Sequence, residues 1–161
     1  MRVTLYSDGA ARGNPGPGGY GTVLHYVDPA GNLHTKEFSQ GYENTTNNRM
    51  ELLGVIVGLE ALNRPCEVQV CSDSQYVVKA FNEHWVEGWQ RRGWKNSKKE
   101  PVKNIDLWQR LLAAMEPHEV SFSWVKGHAG HEMNERCDKL ACEAADGPGR
   151  IVDEGFAGGS R

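Results

Sequence analysis

The sequence contains no long hydrophobic run and few cysteines. No apolar stretch approaches the roughly 18 residues that a membrane-spanning helix needs. The N-terminal segment turns polar by residue 7, which is too early for the core of a signal peptide. The four cysteines show no C-x-x-C spacing, which predicts reduced thiols and not disulfides or a zinc site. These absences predict a soluble, cytoplasmic, single-domain protein without a membrane partner.

The chain also lacks a strong excess of either charge. It has 18 Lys+Arg and 21 Asp+Glu, a net charge of −3, which by itself argues against binding nucleic acid through bulk charge. The average hides an uneven distribution, because residues 90–103 hold six basic residues and one acidic residue. Trp85 and Trp89 precede this stretch, and Trp94 lies within it. Most charge runs are solvated surface, but basic groups interleaved with aromatic rings suit a nucleic-acid backbone.

Hydrophobic periodicity and turn residues predict an α/β domain over residues 1–145. The predicted strands are 2–7, 19–27, 33–40, 67–72 and 119–125. The predicted helices are 46–63, capped by Asn44 or Thr45, and 74–82, 84–91, 103–115 and 131–145. This order indicates a mixed sheet flanked by helices. Residues 146–161 hold five glycines and one proline, which predicts a flexible tail, although Ile151, Val152 and Phe156 are apolar enough to dock on the body.

Two apparent motifs carry no function. Residues 16–21 match G-x-G-x-x-G, but a dinucleotide-binding fingerprint opens a helix and here a strand pattern follows. Residues 131–135 fail the zinc motif H-E-x-x-H, because Glu135 stands in the place of the second histidine.

Four carboxylates fall where a site could form. Asp8 and Asp73 follow predicted strands, and ligands bind at strand ends in such sheets. Glu51 and Asp138 each lie one position, about 100°, beyond a core-facing residue of a predicted helix, which places Glu51 at the edge of the buried face. Any one of these acids alone is best interpreted as a turn, cap or surface residue. Four that converge repel one another unless a cation lies among them, and oxygen-only ligands favour Mg²⁺.

The chain resembles the bacterial type 1 ribonucleases H, which cut the RNA strand of RNA/DNA hybrids. The matching motifs occur in order over roughly residues 1–145: Asp8–Gly9, Gly13–Gly21, Thr46–Glu51, Asp73–Val77, Arg92–Trp94, Asn104–Trp108 and Trp124–Gly130, continuing to Asp138. The resemblance implies a ribonuclease H-like five-stranded mixed sheet of strand order 3-2-1-4-5. It also implies that Asp8, Glu51, Asp73 and Asp138 bind the catalytic metal.

The implied chemistry is an in-line displacement with two Mg²⁺ ions, or Mn²⁺ in their place. By the same resemblance Asp8 bridges the ions, and the products carry a 5′-phosphate and a 3′-hydroxyl. His128 is implied as a catalytic residue for water activation or for product release. A lone histidine is more often structural, so the sequence does not choose among these roles.

The resemblance further implies which residues bind the hybrid. Asn14, Asn47, Asn48 and Gln75 are expected to read the minor groove and the RNA 2′-hydroxyls, with Thr46 and Arg49 beside them. A basic protrusion is expected to grip the DNA strand, through Trp85, Arg91, Arg92, Trp94, Lys95, Lys98 and Lys99. Helix capping is the simpler interpretation of the asparagines. The main hypothesis is a monomeric hybrid-specific endonuclease, and the alternatives are a hybrid-binding module without catalysis and a nuclease of the same fold that acts on a different duplex.

Overall fold

The computed structural model describes residues 1–125 and 132–157. Within those ranges the elements in chain order are β1 Arg2–Ala11, β2 Gly16–Val27, β3 Leu33–Thr45, α1 Asn47–Glu60, β4 Glu67–Ser72, α2 Gln75–Asn82, α3 Trp85–Arg91, α4 Ile105–Met115, β5 Glu119–Trp124, α5 Glu132–Asp146 and α6 Glu154–Ala157. No helix of the described residues is long and apolar enough to cross a membrane.

The five strands form one mixed sheet of order β3-β2-β1-β4-β5, which confirms the expected topology. β1, β2 and β3 pair antiparallel, whereas β4 pairs parallel to both β1 and β5. The carboxyl ends of β1, β4 and β5 therefore lie at one edge of the sheet. The β1–β4 pairing ends at Ser7 and Ser72, so the next residues on these neighbouring strands are Asp8 and Asp73.

Helix α1 is buried around most of its circumference and not along one stripe. Every residue from Arg49 to Ile56 is buried, because the sheet packs on one side of the helix and α4 on another. Glu51 is consequently inside the protein and not at the edge of a buried face. The predicted cap is also wrong: Thr46 caps the helix, and its Oγ1 accepts a hydrogen bond from the Arg49 N–H at 3.3 Å.

The glycines of β2 allow α5 to approach the sheet closely. A Cβ at Gly21 would meet the backbone of α5 at Cys137 and Ala141, and a Cβ at Gly19 would meet it at Ala141 and Ala145. Gly21, the last glycine of the G-x-G-x-x-G pattern, therefore has a packing reason. Gly21 pairs with Asp8 on β1, so α5 crosses the sheet beside that carboxylate.

The segment after α5 returns to the body. The Ile151 N–H donates to the Gly41 carbonyl at 2.9 Å, and the Ile151 carbonyl accepts from the Glu43 N–H at 2.8 Å. Asp153 is then buried beside α1. This segment can dock because β3 is an edge strand with outward backbone groups and because Asp153 finds a buried cation there. Flexibility over 146–161 in solution stays a prediction, and residues 158–161 lie outside the described ranges.

Candidate active site

Three of the predicted carboxylates meet at the edge of the sheet. Asp8, Glu51 and Asp73 each offer one oxygen, and these oxygens lie within 4.8 Å of one another. Asp8 lies within β1, which runs beyond the predicted end at residue 7, and it is the first residue past the pairing with β4. Asp73 directly follows β4, and Glu51 comes from the first turns of α1. Gly9 makes this approach possible, because a Cβ there would meet the Glu51 backbone N and its Oε1.

Asp138 joins the same place from α5. It lines a pocket of about 380 Å³ together with Asp8, Glu51 and Asp73, here called the carboxylate pocket. The Cys142 thiol, one turn further along α5, donates a hydrogen bond to Asp138 Oδ1 at 3.7 Å. The structure thus brings all four predicted acids to one pocket, although only three form the tight cluster.

The electrostatics of the carboxylate pocket favour a bound cation. Burial raises the pKa of Glu51 well above its usual value, and the charges of Asp8 and Asp73 raise it further. Burial, and then the charge of Asp8, raises the pKa of the Cys137 thiol to about 12. Among the residues that the structure describes, no lysine or arginine lines the pocket, and Glu51 Oε1 is buried without a hydrogen-bond partner. An all-oxygen donor set of this kind fits a hard divalent ion such as Mg²⁺.

Polar side chains surround the carboxylates. Asn47, Asn48 and Gln75 are exposed and line the carboxylate pocket. The Asn14 Oδ1 accepts a hydrogen bond from the Asn47 N–H at 3.1 Å, so Asn14 ties the β1–β2 loop to the start of α1. Three of the four predicted amides therefore face the acids, and the fourth supports the turn that carries two of them.

Arg49 does not present its side chain to the surface. It is 1% exposed, and its five N–H donors all have protein acceptors. The acceptors are Asp106, through two hydrogen bonds of 2.7 and 2.9 Å, Asp153, through two of 2.8 and 3.0 Å, and Asn104 Oδ1 at 3.2 Å. No N–H donor of the Arg49 side chain is left for a ligand, and the hybrid contact expected at Arg49 stays a prediction.

The basic protrusion comprises α3 and the loop that follows it, which backbone hydrogen bonds close. The Trp94 N–H donates to the Trp89 carbonyl at 2.7 Å, and the Val102 N–H donates to the Trp94 carbonyl at 3.0 Å. The backbones of Lys95 and Pro101 form an isolated antiparallel β-bridge. The Trp94 ring packs partly buried against the core, so it anchors the loop, whereas Trp85 is 36% exposed.

The predicted cations of this loop are available to an anion. Arg91, Arg92, Lys95, Lys98 and Lys99 are all exposed. None of them forms an ion pair with a residue in the described ranges, and Arg92 Nε donates only to the Lys95 carbonyl. His128 lies outside the described residues, so its catalytic role stays a prediction.

The fold and the carboxylate pocket together define an α/β protein with a candidate cation-dependent active site. The RNase H family model matches residues 1–146. The ribonuclease H of Lachnoclostridium phytofermentans is 66% identical over 155 residues, which cover 96% of this chain and 98% of the relative. The ribonuclease H of Escherichia coli is 53% identical over 155 residues, 96% of each chain. The chain belongs to the RNase H family.

Solved structures agree with this assignment. LC9-RNase H1, a type 1 RNase H with the type 2 active-site motif, superposes with a TM-score of 0.81 at 34% identity, over 98% of this chain and 79% of that one. LC11-RNase H1 in complex with an RNA/DNA hybrid superposes with a TM-score of 0.60 at 28% identity, over 89% of this chain and 96% of that one. Family and relatives together support a ribonuclease H enzyme.

Proposed function

We propose that this protein is an endonuclease that hydrolyses the RNA strand of RNA/DNA hybrids with two bound divalent cations. The observation that carries the proposal is the meeting of Asp8, Glu51 and Asp73 within 4.8 Å, in a pocket completed by Asp138. Mg²⁺ is the proposed ion and Mn²⁺ an alternative, because both accept carboxylate oxygens.

Asp8, Glu51, Asp73 and Asp138 would hold the cations. When bound, the cations would supply Lewis acidity to an in-line displacement, for activation of the attacking water and for stabilisation of the leaving oxygen. Water then attacks phosphorus and the bond from phosphorus to O3′ breaks, which leaves a 5′-phosphate and a 3′-hydroxyl. The buried position of Asp8 and Glu51 fixes their carboxylates before substrate arrives, so little reorganisation is needed during the reaction.

Binding of the hybrid is assigned to two surfaces. The amides of Asn47, Asn48 and Gln75 have the donors and acceptors that a minor groove and a 2′-hydroxyl require. The exposed cations of the basic protrusion suit the phosphates of the second strand. We further propose that residues 1–145 act as a cytoplasmic monomeric catalytic domain.

The first test compares three labelled duplexes: an RNA/DNA hybrid, double-stranded RNA and double-stranded DNA. Each is incubated with Mg²⁺ or with EDTA. We expect the hybrid to be the only duplex that is cut, and we expect cutting only in the samples with Mg²⁺. Binding of the hybrid without cutting would identify a binding module, and cutting of another duplex in its place would identify a different nuclease. Either result would refute the proposal.

The second test removes one metal ligand. Asp73→Asn keeps the shape of the side chain, and we expect kcat to fall at least about 10³-fold, the equivalent of roughly 4 kcal/mol, with the hybrid Kd within about threefold of wild type. The matched control is Glu119→Gln, which removes a carboxylate at the amino end of β5, at the opposite edge of the sheet. Wild-type turnover by Asp73→Asn would exclude the metal-binding role.

A further inference from the structure

We infer that residues 151–157, the C-terminal segment, belong to the hybrid-binding surface, and that Asp153 is a positioning residue that acts through Arg49 on Asn104. The inference rests on the proposed function, because the surface concerned adjoins the carboxylate pocket. The sequence placed Asn104 only within a matching motif and the C-terminal segment only in a tail that could dock, and it predicted hybrid binding for neither.

The C-terminal segment forms one wall of a second pocket, of about 430 Å³, here called the amide pocket. Its lining residues are Asn14, Pro15, Asn44, Thr46, Asn48, Lys103, Asn104 and Phe156. Asn14, Thr46 and Asn48 are predicted hybrid-binding residues, and Asn48 lines the carboxylate pocket as well. Among the described residues, Phe156 is the one aromatic side chain of this lining, and it comes from the C-terminal segment.

Asp153 does not line the amide pocket, but it hydrogen-bonds to three groups in or next to the residues that do. It is 5% exposed and accepts from the Arg49 Nε and Nη2 at 2.8 and 3.0 Å. Its Oδ2 also accepts from the Thr45 Oγ1 at 2.6 Å, next to the cap residue of α1. Its Oδ1 accepts from the Phe156 N–H at 3.4 Å. One carboxylate thus connects the start of α1, the buried guanidinium and the Phe156 wall.

Arg49 transmits this constraint to Asn104. Arg49 Nη1 donates to Asn104 Oδ1 at 3.2 Å, and Asn104 Nδ2 donates to the Tyr76 hydroxyl at 3.2 Å. Both polar atoms of the amide are therefore held, and the backbone of Asn104 lies in the left-handed region at a φ of 63°. Loss of Asp153 removes two of the five acceptors of Arg49, so the guanidinium is free to turn towards Asp106 and release Asn104.

Gly155 gives an independent sign that the segment packs closely. A Cβ at this position would meet the Asp106 carboxylate and Arg49 Nη2. The backbone of the C-terminal segment therefore lies directly on the ion pair, with no room for a side chain. Gly155→Ala should therefore displace the C-terminal segment without removing any charge.

The experiment compares Asp153→Asn, Gly155→Ala and Phe156→Ala in the full-length protein. The hybrid Kd is measured in the Asp73→Asn background, and KM and kcat are measured in the wild-type background. For Asp153→Asn and Gly155→Ala we expect Kd and KM to rise about tenfold, with kcat within about twofold. For Phe156→Ala we expect a rise of about threefold.

Two controls separate positioning from lost stability. Glu60→Gln breaks the ion pair between Glu60 and Arg110. This pair joins the end of α1 to α4, just as the Arg49–Asp106 pair joins the start of α1 to α4. Leu111→Ala weakens the core without touching the amide pocket. At a temperature where every variant is folded, both should keep the wild-type KM. An unchanged Kd in Asp153→Asn and Gly155→Ala, or an equal rise in Leu111→Ala, would overturn the inference.

A measurement without nucleic acid distinguishes this inference from the proposed function. We expect the Asn104 side-chain NH₂ resonances to shift in Asp153→Asn and to stay in place in Glu60→Gln. Unshifted resonances would refute the positioning role whatever the substrate is. Shifted resonances in a protein that does not bind the hybrid would support the link from Asp153 to Asn104 and refute the proposed function.

Discussion

Two buried charged clusters lie on the same turn of α1 and differ in how their charges are compensated. Arg49 faces Asp106 and Asp153, which accept four of its five hydrogen bonds. Glu51, two residues further on, faces Asp8 and Asp73, and no cationic side chain of the described residues lines their pocket. The first cluster is complete within the protein, whereas the second needs a ligand.

The ionisation of the two clusters follows from this difference. Burial by itself lowers the pKa of Arg49, but hydrogen bonds and charges from Asp106 and Asp153 outweigh it and raise the pKa overall. Burial likewise acts to raise the pKa of Asp106, and Arg49 reverses that effect. Burial also raises the pKa of Glu51, and there its neighbours add to the rise. We therefore expect the Arg49 cluster to stabilise the fold and the Glu51 cluster to destabilise it until a cation binds.

The largest effect on stability should come from breaking the Arg49 cluster. Arg49→Met leaves the buried Asp153 and the half-buried Asp106 without a cation, and we expect the free energy of unfolding to fall by about 3–5 kcal/mol. Urea denaturation measures it. Arg110→Met, which breaks the exposed pair with Glu60, should cost no more than about 1 kcal/mol. If Arg49→Met and Arg110→Met lose the same free energy of unfolding, the Arg49 cluster stabilises the fold no more than an exposed ion pair does.

A smaller and opposite effect should follow from relieving the Glu51 cluster. In EDTA we expect Glu51→Gln to raise Tm by about 2–4 °C, the shift that about 1 kcal/mol produces in a domain of this size, while cleavage of the hybrid is lost. Saturating Mg²⁺ should stabilise the wild type, because an ion that binds only the folded state adds to its stability. Glu67→Gln, in the exposed pair with Arg2, should leave Tm within about 1 °C of wild type. A lower Tm for Glu51→Gln in EDTA would show that the cluster is not repulsive.

The smallest effect should be the pH dependence of the Tm difference, in EDTA, between the wild type and Glu51→Gln. The pKa of Glu51 is raised above its ordinary value of 4.5, so the folded state holds a proton that the unfolded state releases as pH rises past 4.5. The wild type should therefore lose stability relative to Glu51→Gln above that pH, and the two Tm values in EDTA should agree within about 1 °C below it. Asp106 has the opposite effect on the pH dependence of stability, because its pKa is lowered and the stability it contributes is lost as pH falls. A Tm difference that is independent of pH would exclude titration of Glu51 as its cause.

The sequence predicts local elements and their order better than it predicts long-range pairs. The strand order is confirmed, and Asp8 and Asp73 meet because each directly follows the last pair of the parallel β1–β4 ladder. The pairing of Arg49 with Asp153 joins residues 104 positions apart and leaves no periodic signal. The five glycines of residues 146–161 indicate flexibility by composition alone, although Gly155 packs tightly. The one sequence signal for this pairing is that Arg49 lies beside Met50 at the start of an apolar helix, which favours a buried partner without identifying it.

The spacing between α5 and the sheet has a consequence for how this site can change in evolution. Gly21 lies opposite Asp8 and lets the backbone at Cys137 come close, and Asp138 is the next residue. The width of the carboxylate pocket is thus set in part by a position that has no side chain and that touches no reactant. Substitution there would move Asp138, a proposed metal ligand, outward by about the thickness of a methyl group, so this glycine constrains the geometry of the proposed site.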